Sequence, residues 1–177
     1  IVFSTTGALP TGIVAGTRYW ATFLTANTFR ISTTADNAIA GTYINTSGSQ
    51  SGVQTADIRT AQTTGTAVDL AAIQLAGGDW DVQGTMYWIG SGTTVIDRTE
   101  LELHTTAGQN TQFFEGRYGS DQFPASYVPG GSTFKNLNTP TARFSLSGTT
   151  TIYGTFLPTF TVSTMIGYVA LTARRAR

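Results

Sequence analysis

Residues Gly77–Trp88 read GGDWDVQGTMYW. Two carboxylates flank an indole, and two more aromatic rings follow. The stretch can be an acid pair beside a ring on which a sugar stacks, or it can be a piece of wall. Strand geometry separates the two. Successive side chains of a strand point to opposite faces, so Asp79 and Asp81 share one face while Trp80, Val82, Gly84 and Met86 share the other. The two aspartates then stand about 7 Å apart at the backbone. Glycosidase carboxyl pairs are separated by roughly 5–10 Å, so distance alone does not discriminate. Such pairs, however, face one another across a substrate from different strands. The phase therefore sends Trp80 to a core and leaves the aspartates solvated or paired with arginine.

The composition agrees with a β-reading. Charged residues make up 11 % of the 177 residues, well below the roughly 25 % of ordinary globular chains. There are 34 threonines and 20 glycines, and 40 % of the residues are hydrophobic. β-Branched and aromatic side chains suit a pleated surface. The formal net charge is zero, which gives no electrostatic argument for a nucleic-acid or membrane partner. Nine of the ten basic residues are arginine, the more interface-prone cation. Cysteine is absent, which removes disulfides and thiolate metal sites and leaves the redox compartment open. No apolar run approaches the roughly 18 residues of a membrane span. The opening IVFSTTG reads as a strand already under way, so a longer or processed chain is expected.

Along the chain the signal is alternation broken by Gly, Asn, Ser and Thr clusters. In Thr17–Thr33, TRYWATFLTANTFRIST, the residues Tyr19, Ala21 and Phe23 share a face, TAN turns, and Phe29 and Ile31 return. This is a hairpin, and it anchors a small β module over residues 1–56. Asp57–Val68 is polar and reads as a linker or an exposed first strand. Val68–Ala76, VDLAAIQLA, is short and stopped by Gly77 and Gly78, which favours a strand over a helical turn. Further strands are expected in Arg98–Thr106, in Thr141–Gly148 and as a long pair at the end. Pro158 places its strand at an edge or a bulge. Many short strands with this spacing argue for a sandwich or jelly roll over residues 57–177.

Two segments carry a resemblance. GDWDVQG and SLSGTTTIYGTFLPTFTVSTMIGYVALTARRAR resemble the opening and closing strands of the C-terminal β domain of tailed-bacteriophage virion surface proteins. The likeness covers about Asp57–Arg177. The first unit, with LPTGIVAGTRYWATFLTANTFRIST and NTSGSQSG, resembles a small β module of phage tail and virion proteins. The resemblance implies an all-β chain ending in a tumour-necrosis-factor-like jelly roll that assembles as a homotrimer on the virion surface. It also implies that the first unit joins other virion proteins. Residues Thr105–Asn138 depart from the family pattern, being longer and more aromatic.

The departing region holds the ligand candidates. In Gln112–Pro129 the rings of Phe114, Tyr118 and Tyr127 lie close in sequence to Glu115, Arg117, Asp121 and Gln122. Aromatic faces stack on the apolar side of sugar rings, while carboxylates, arginine and amides bond their hydroxyls. A long loop also needs aromatics to pack its own base or to dock on a neighbouring subunit, so both uses stay open. Glu100, Glu102 and His104 share one strand face and have the donor types of a Zn or Ni site. One strand cannot close a metal shell, and an exposed or inter-subunit polar face is expected there instead. His104 is the only histidine, and no Gly-x-Ser-x-Gly elbow surrounds any serine. No catalytic residue, metal or cofactor is expected. Arg174 and Arg175 are expected to pair with carboxylates. Three functions remain: a non-enzymatic fibre or spike on tail or head that touches host polysaccharide, a capsid decoration protein, and, least supported, a polysaccharide depolymerase.

Overall fold

The structure, a computed structural model, describes residues 1–25, 28–58, 60–110, 117–129 and 134–176. It is all-β, with several antiparallel sheets and one five-residue helix among the described residues. The chain divides into two compact units, Ile1–Thr60 and Ala61–Arg177.

The first unit holds β1 (Val2–Thr5), β2 (Trp20–Thr25), β3 (Thr28–Ser32), α1 (Ala35–Ile39) and β4 (Gln54–Asp57). β1 pairs antiparallel with β4, and β2 with β3. Thr34 caps α1 by accepting from the Asn37 N–H at 3.1 Å, which satisfies one of the orphan donors of a helix start. Phe3, Tyr19 and Ile31 form a small core, with Leu9, Ile13 and Ile44 packed against it. The hairpin end projects away from that core, leaving Phe23 70 % and Leu24 52 % exposed.

The second unit begins at the unit junction with β5 (Thr60–Gln62). It continues with β6 (Val68–Leu75), β7 (Gly78–Gly90), β8 (Val95–His104) and β9 (Tyr118–Tyr127). β10 (Lys135–Asn138), β11 (Ala142–Leu146), β12 (Thr150–Thr161) and β13 (Met165–Arg175) complete it. One sheet runs β10-β7-β13-β5, with β11 also on β7, and the other runs β6-β12-β8-β9. Their facing side chains make the core. Met86, Trp88 and Met165 of the first sheet pack with Ile96, Leu101 and Phe156 of the second, all fully buried. Val82 and Phe144 meet Leu103 and Ile152 in a second cluster. Burying each such side chain contributes about 1.5–3 kcal/mol.

β7 keeps the expected phase: Val82, Gly84, Met86 and Trp88 are buried, while Asp79 and Gln83 are exposed. Trp80 packs against the second cluster but is only half-buried, because it lies near the start of the strand. β10 and β11 share one edge of β7, pairing with Thr85–Trp88 and Gly78–Val82 respectively. Between them the ladder is broken at Pro140, which has no N–H. Thr139 spans the break: its Oγ1 accepts from the Gly84 N–H at 3.0 Å, and its own N–H donates to the Gly84 carbonyl at 2.9 Å.

One expectation is narrowed and one changes. β12 is a central strand, so of the edge and the bulge expected at Pro158 it is the bulge that is found. Proline is tolerated because β6 pairs only as far as Phe156 and the register with β8 shifts between Thr159 and Phe160. Gln112–Pro129 is not a single loop, since it contains the ten-residue β9. A register shift between Ile96 and Arg98 separates the Tyr127 and Gln122 pairings and hides the period of two. Pro124 sits on this edge strand, where a missing donor is harmless.

Candidate functional site

Of the ligand candidates, Phe114 and Glu115 lie outside the described residues. The Arg117 guanidinium lies 4.2 Å from the Phe144 ring centroid, and its backbone carbonyl accepts from the Leu103 N–H at 2.9 Å. Tyr118 donates its phenolic O–H to Glu100 Oε1 at 2.6 Å. Tyr127 stacks on Phe123 with centroids 4.8 Å apart, and Phe123 meets Trp88 edge-on. Arg117, Tyr118 and Tyr127 thus hold β9 to its own unit. Asp121 is half-buried opposite Thr99, and Gln122 is exposed opposite Arg98.

Tyr118 belongs to a polar row that crosses the outer face of the second sheet. Asp69, Thr155, Glu102 and Tyr118 are register partners on four successive strands. Thr155 donates its hydroxyl to Asp69 Oδ1 at 2.5 Å. The Gly108 N–H donates to Asp69 Oδ2 at 2.8 Å, so the turn after β8 returns over this face as far as β6. Glu100 and Glu102 are both 0 % exposed. Arg98 reaches Glu100 Oε1 at 3.0 Å. The expectation of an exposed or inter-subunit polar face is therefore corrected: alternation sent these glutamates outward, yet both are sealed from solvent. Burial first, and then the bond to Glu100, raise the Tyr118 phenol above its usual 10.0. His104 accepts at Nδ1 from the Thr106 N–H at 3.2 Å. Among the described residues no group of three His, Cys, Asp or Glu side chains is placed to hold a metal.

On the outer face of the other sheet, Asp81 accepts from Arg143 Nε at 2.7 Å and lies 3.5 Å from Arg174 Nε. The Arg143 hydrogen bond, foremost, holds the Asp81 carboxyl below its ordinary 3.8. Arg175 instead lies 5.1 Å from the Trp80 ring centroid and bonds the Gly77 carbonyl at 3.2 Å. The acid–ring–acid motif is thereby absorbed: one aspartate is in a surface ion-pair cluster and the ring is under an arginine.

The first unit carries a cleft of about 650 Å³ that motif reading did not single out. Phe3, Ile13, Ile31 and Ile44 line it, and so do Phe29, Arg30, Tyr43, Asn45, Gln50 and Gln54. These residues are scattered over four segments and form no motif, so only the fold brings them together. The Arg30 guanidinium lies 4.9 Å from the Tyr43 ring centroid. The segments that form the walls are tied to one another. The Thr11 N–H donates to the Ser47 carbonyl at 2.8 Å, and the Ile44 N–H to that of Ile31 at 2.8 Å. Gly12 has φ +96°, and a Cβ there would stand 3.0 Å from Ile44 Cγ2. Glycine thus allows both the turn and the close approach of the two walls.

Comparison of the chain with protein-family models, with curated proteins and with solved structures finds no match.

Proposed function

We propose that this protein is a non-enzymatic surface component of a tailed-phage virion, a fibre or spike that meets host surface polysaccharide. In this reading its second unit is a tumour-necrosis-factor-like jelly roll that trimerises, and its first unit joins other virion proteins. One observation supports the reading most. The two segments that carry the resemblance are separated by about sixty residues of chain, yet both ends of the closing segment lie beside the opening one in one sheet, with β12 between them in the other. β13 pairs with β7 from Met165–Gly90 to Arg175–Trp80, and β11 pairs with the start of β7. Segments that specify one architecture are expected to touch. Four carboxylates of the second unit have structural uses. Glu100 and Glu102 are sealed from solvent, Asp69 is bonded to Thr155 and Gly108, and Asp81 is held by arginines.

Light scattering on the intact chain tests assembly: a stable monomer at micromolar concentration sinks the trimer. Adsorption of particles lacking the protein tests the role in attachment, and unimpaired adsorption sinks it. A second reading, capsid decoration, is favoured by the exposed Phe23 and Leu24 of the hairpin, an apolar end suited to seating on another protein. Under that reading, particles without the protein adsorb normally but lose resistance to heat.

A further inference from the structure

We infer that the cleft of the first unit is a saccharide site selective for an acidic sugar, with Arg30 as the anion anchor. The inference deepens the reading of a polysaccharide-contacting appendage and rests on it for its setting. It moves the contact to the first unit, since three of the described candidates in the 112–129 segment are spent on packing.

The lining chemistry leads to this ligand. About 650 Å³ lies within the roughly 300–1,000 Å³ of small-ligand clefts. Phe29 is 38 % exposed and stacks on Phe3 at 6.4 Å, so an aromatic surface is open to a ring's apolar side. Asn45 and Gln50 are exposed amides, each able to donate and to accept. Gln54 has its Nε2 committed to the Ala8 and Ser51 carbonyls at 3.1 and 2.7 Å. Its Oε1 is left without a partner among the described residues. Apolar ring, amide donors and amide acceptors together match a polyhydroxylated ring better than a purely apolar or purely ionic ligand.

Charge selects among sugars. Among the described residues that line the cleft, Arg30 is the one that carries a charge, and none of them is a carboxylate. It is exposed, and the Tyr43 ring beneath it restricts where it points. A planar guanidinium in that position bonds a carboxylate in bidentate fashion. Its stacking on Tyr43 lowers the ordering cost on binding. The walls are already bridged by backbone hydrogen bonds, so the site is largely formed before ligand arrives.

The test is calorimetric titration of the full chain with a glucuronate-containing disaccharide and with a neutral glucose disaccharide. The uronate should bind saturably, at least about tenfold tighter than the neutral sugar, as one charge-assisted bond implies. Arg30→Gln should remove that preference, bringing the uronate affinity down to that of the neutral sugar. Equal affinities for the two sugars, no saturable uronate binding, or unaltered binding by Arg30→Gln would each overturn the proposal. Should Arg30→Gln fold poorly, amide shift mapping of the unaltered chain decides: the Asn45 and Gln50 side-chain signals must move with uronate, and shifts confined to the second unit refute the site. Because the titration uses the isolated chain, its failure removes the cleft alone. Failure of trimerisation or adsorption removes the virion reading and leaves the cleft standing.

Discussion

Tyr118 donates its phenolic O–H to Glu100 Oε1 at 2.6 Å, joining the edge strand β9 to a glutamate that is fully buried in β8. A buried carboxylate needs its partners, because an unsatisfied acceptor loses its hydration and gains nothing in return. Tyr118→Phe keeps the ring and removes the donor, so it should destabilise the chain by about 1–3 kcal/mol in urea unfolding. A loss within error would mean that the other partners of Glu100, Arg98 among them, satisfy it.

The same bond has a pH signature. Burial and Glu100 raise the Tyr118 phenol above 10.0 in the folded state, so the folded protein holds that proton longer than the unfolded chain. The contribution is complete below the unfolded value and is lost as pH rises through the raised folded value. Urea midpoints measured from about pH 9 to about pH 11 should fall, and fall less steeply in Tyr118→Phe. Identical slopes in the two proteins would contradict the assignment.

Asp81 gives the opposite sign. Its carboxyl is held below 3.8 by Arg143 first, so its contribution is present above that value and disappears as pH falls through the depressed folded value. Arg143→Gln should move the Asp81 carboxyl back toward 3.8 and weaken acid resistance, while Arg174 keeps part of the effect. Carboxyl-carbon titration by NMR reads the shift directly, and an unmoved Asp81 would assign the depression to Arg174.

Thr139→Val is nearly isosteric and removes only the Oγ1 that receives the Gly84 N–H. Thr139 is 1 % exposed, so water does not replace it. The orphaned donor should cost about 1–3 kcal/mol. Amide exchange should accelerate at Gly84 in particular, and protection equal to that of the unaltered protein would show that the backbone alone closes the gap between β10 and β11.

Val162 has φ +78° in the turn between β12 and β13 and is 77 % exposed. A β-branched residue is strained there, at about 1–2 kcal/mol for the left-handed conformation. Val162→Asn should raise the thermal midpoint, since asparagine tolerates that region and no packing is lost. An unchanged or lowered midpoint would show that the strain is already relieved.

Much of the strand content was legible in local pattern. The period of two assigned Trp80, Val82, Gly84 and Met86 to one face of β7, and turn chemistry marked the β2–β3 hairpin. β9 escaped because its shifted register against β8 erased the period. The first-unit cleft escaped because its residues are gathered from separate segments.

By itself, then, the sequence determined the regularly alternating strands, such as β7, and the face each of their side chains takes, because alternation is set by backbone geometry within a few residues. Whether a face is open or covered was decided only by tertiary structure. The outward phase of Glu100 and Glu102 is local, but their burial, like the reach of the turn after β8 back to Asp69, belongs to the tertiary structure. Asp79 and Asp81 share a face by periodicity, while it takes Arg143 and Arg174, more than sixty residues away along the chain, to make Asp81 part of an ion-pair cluster. Covering, pairing and hollowing all depend on segments distant in sequence, which no local period encodes.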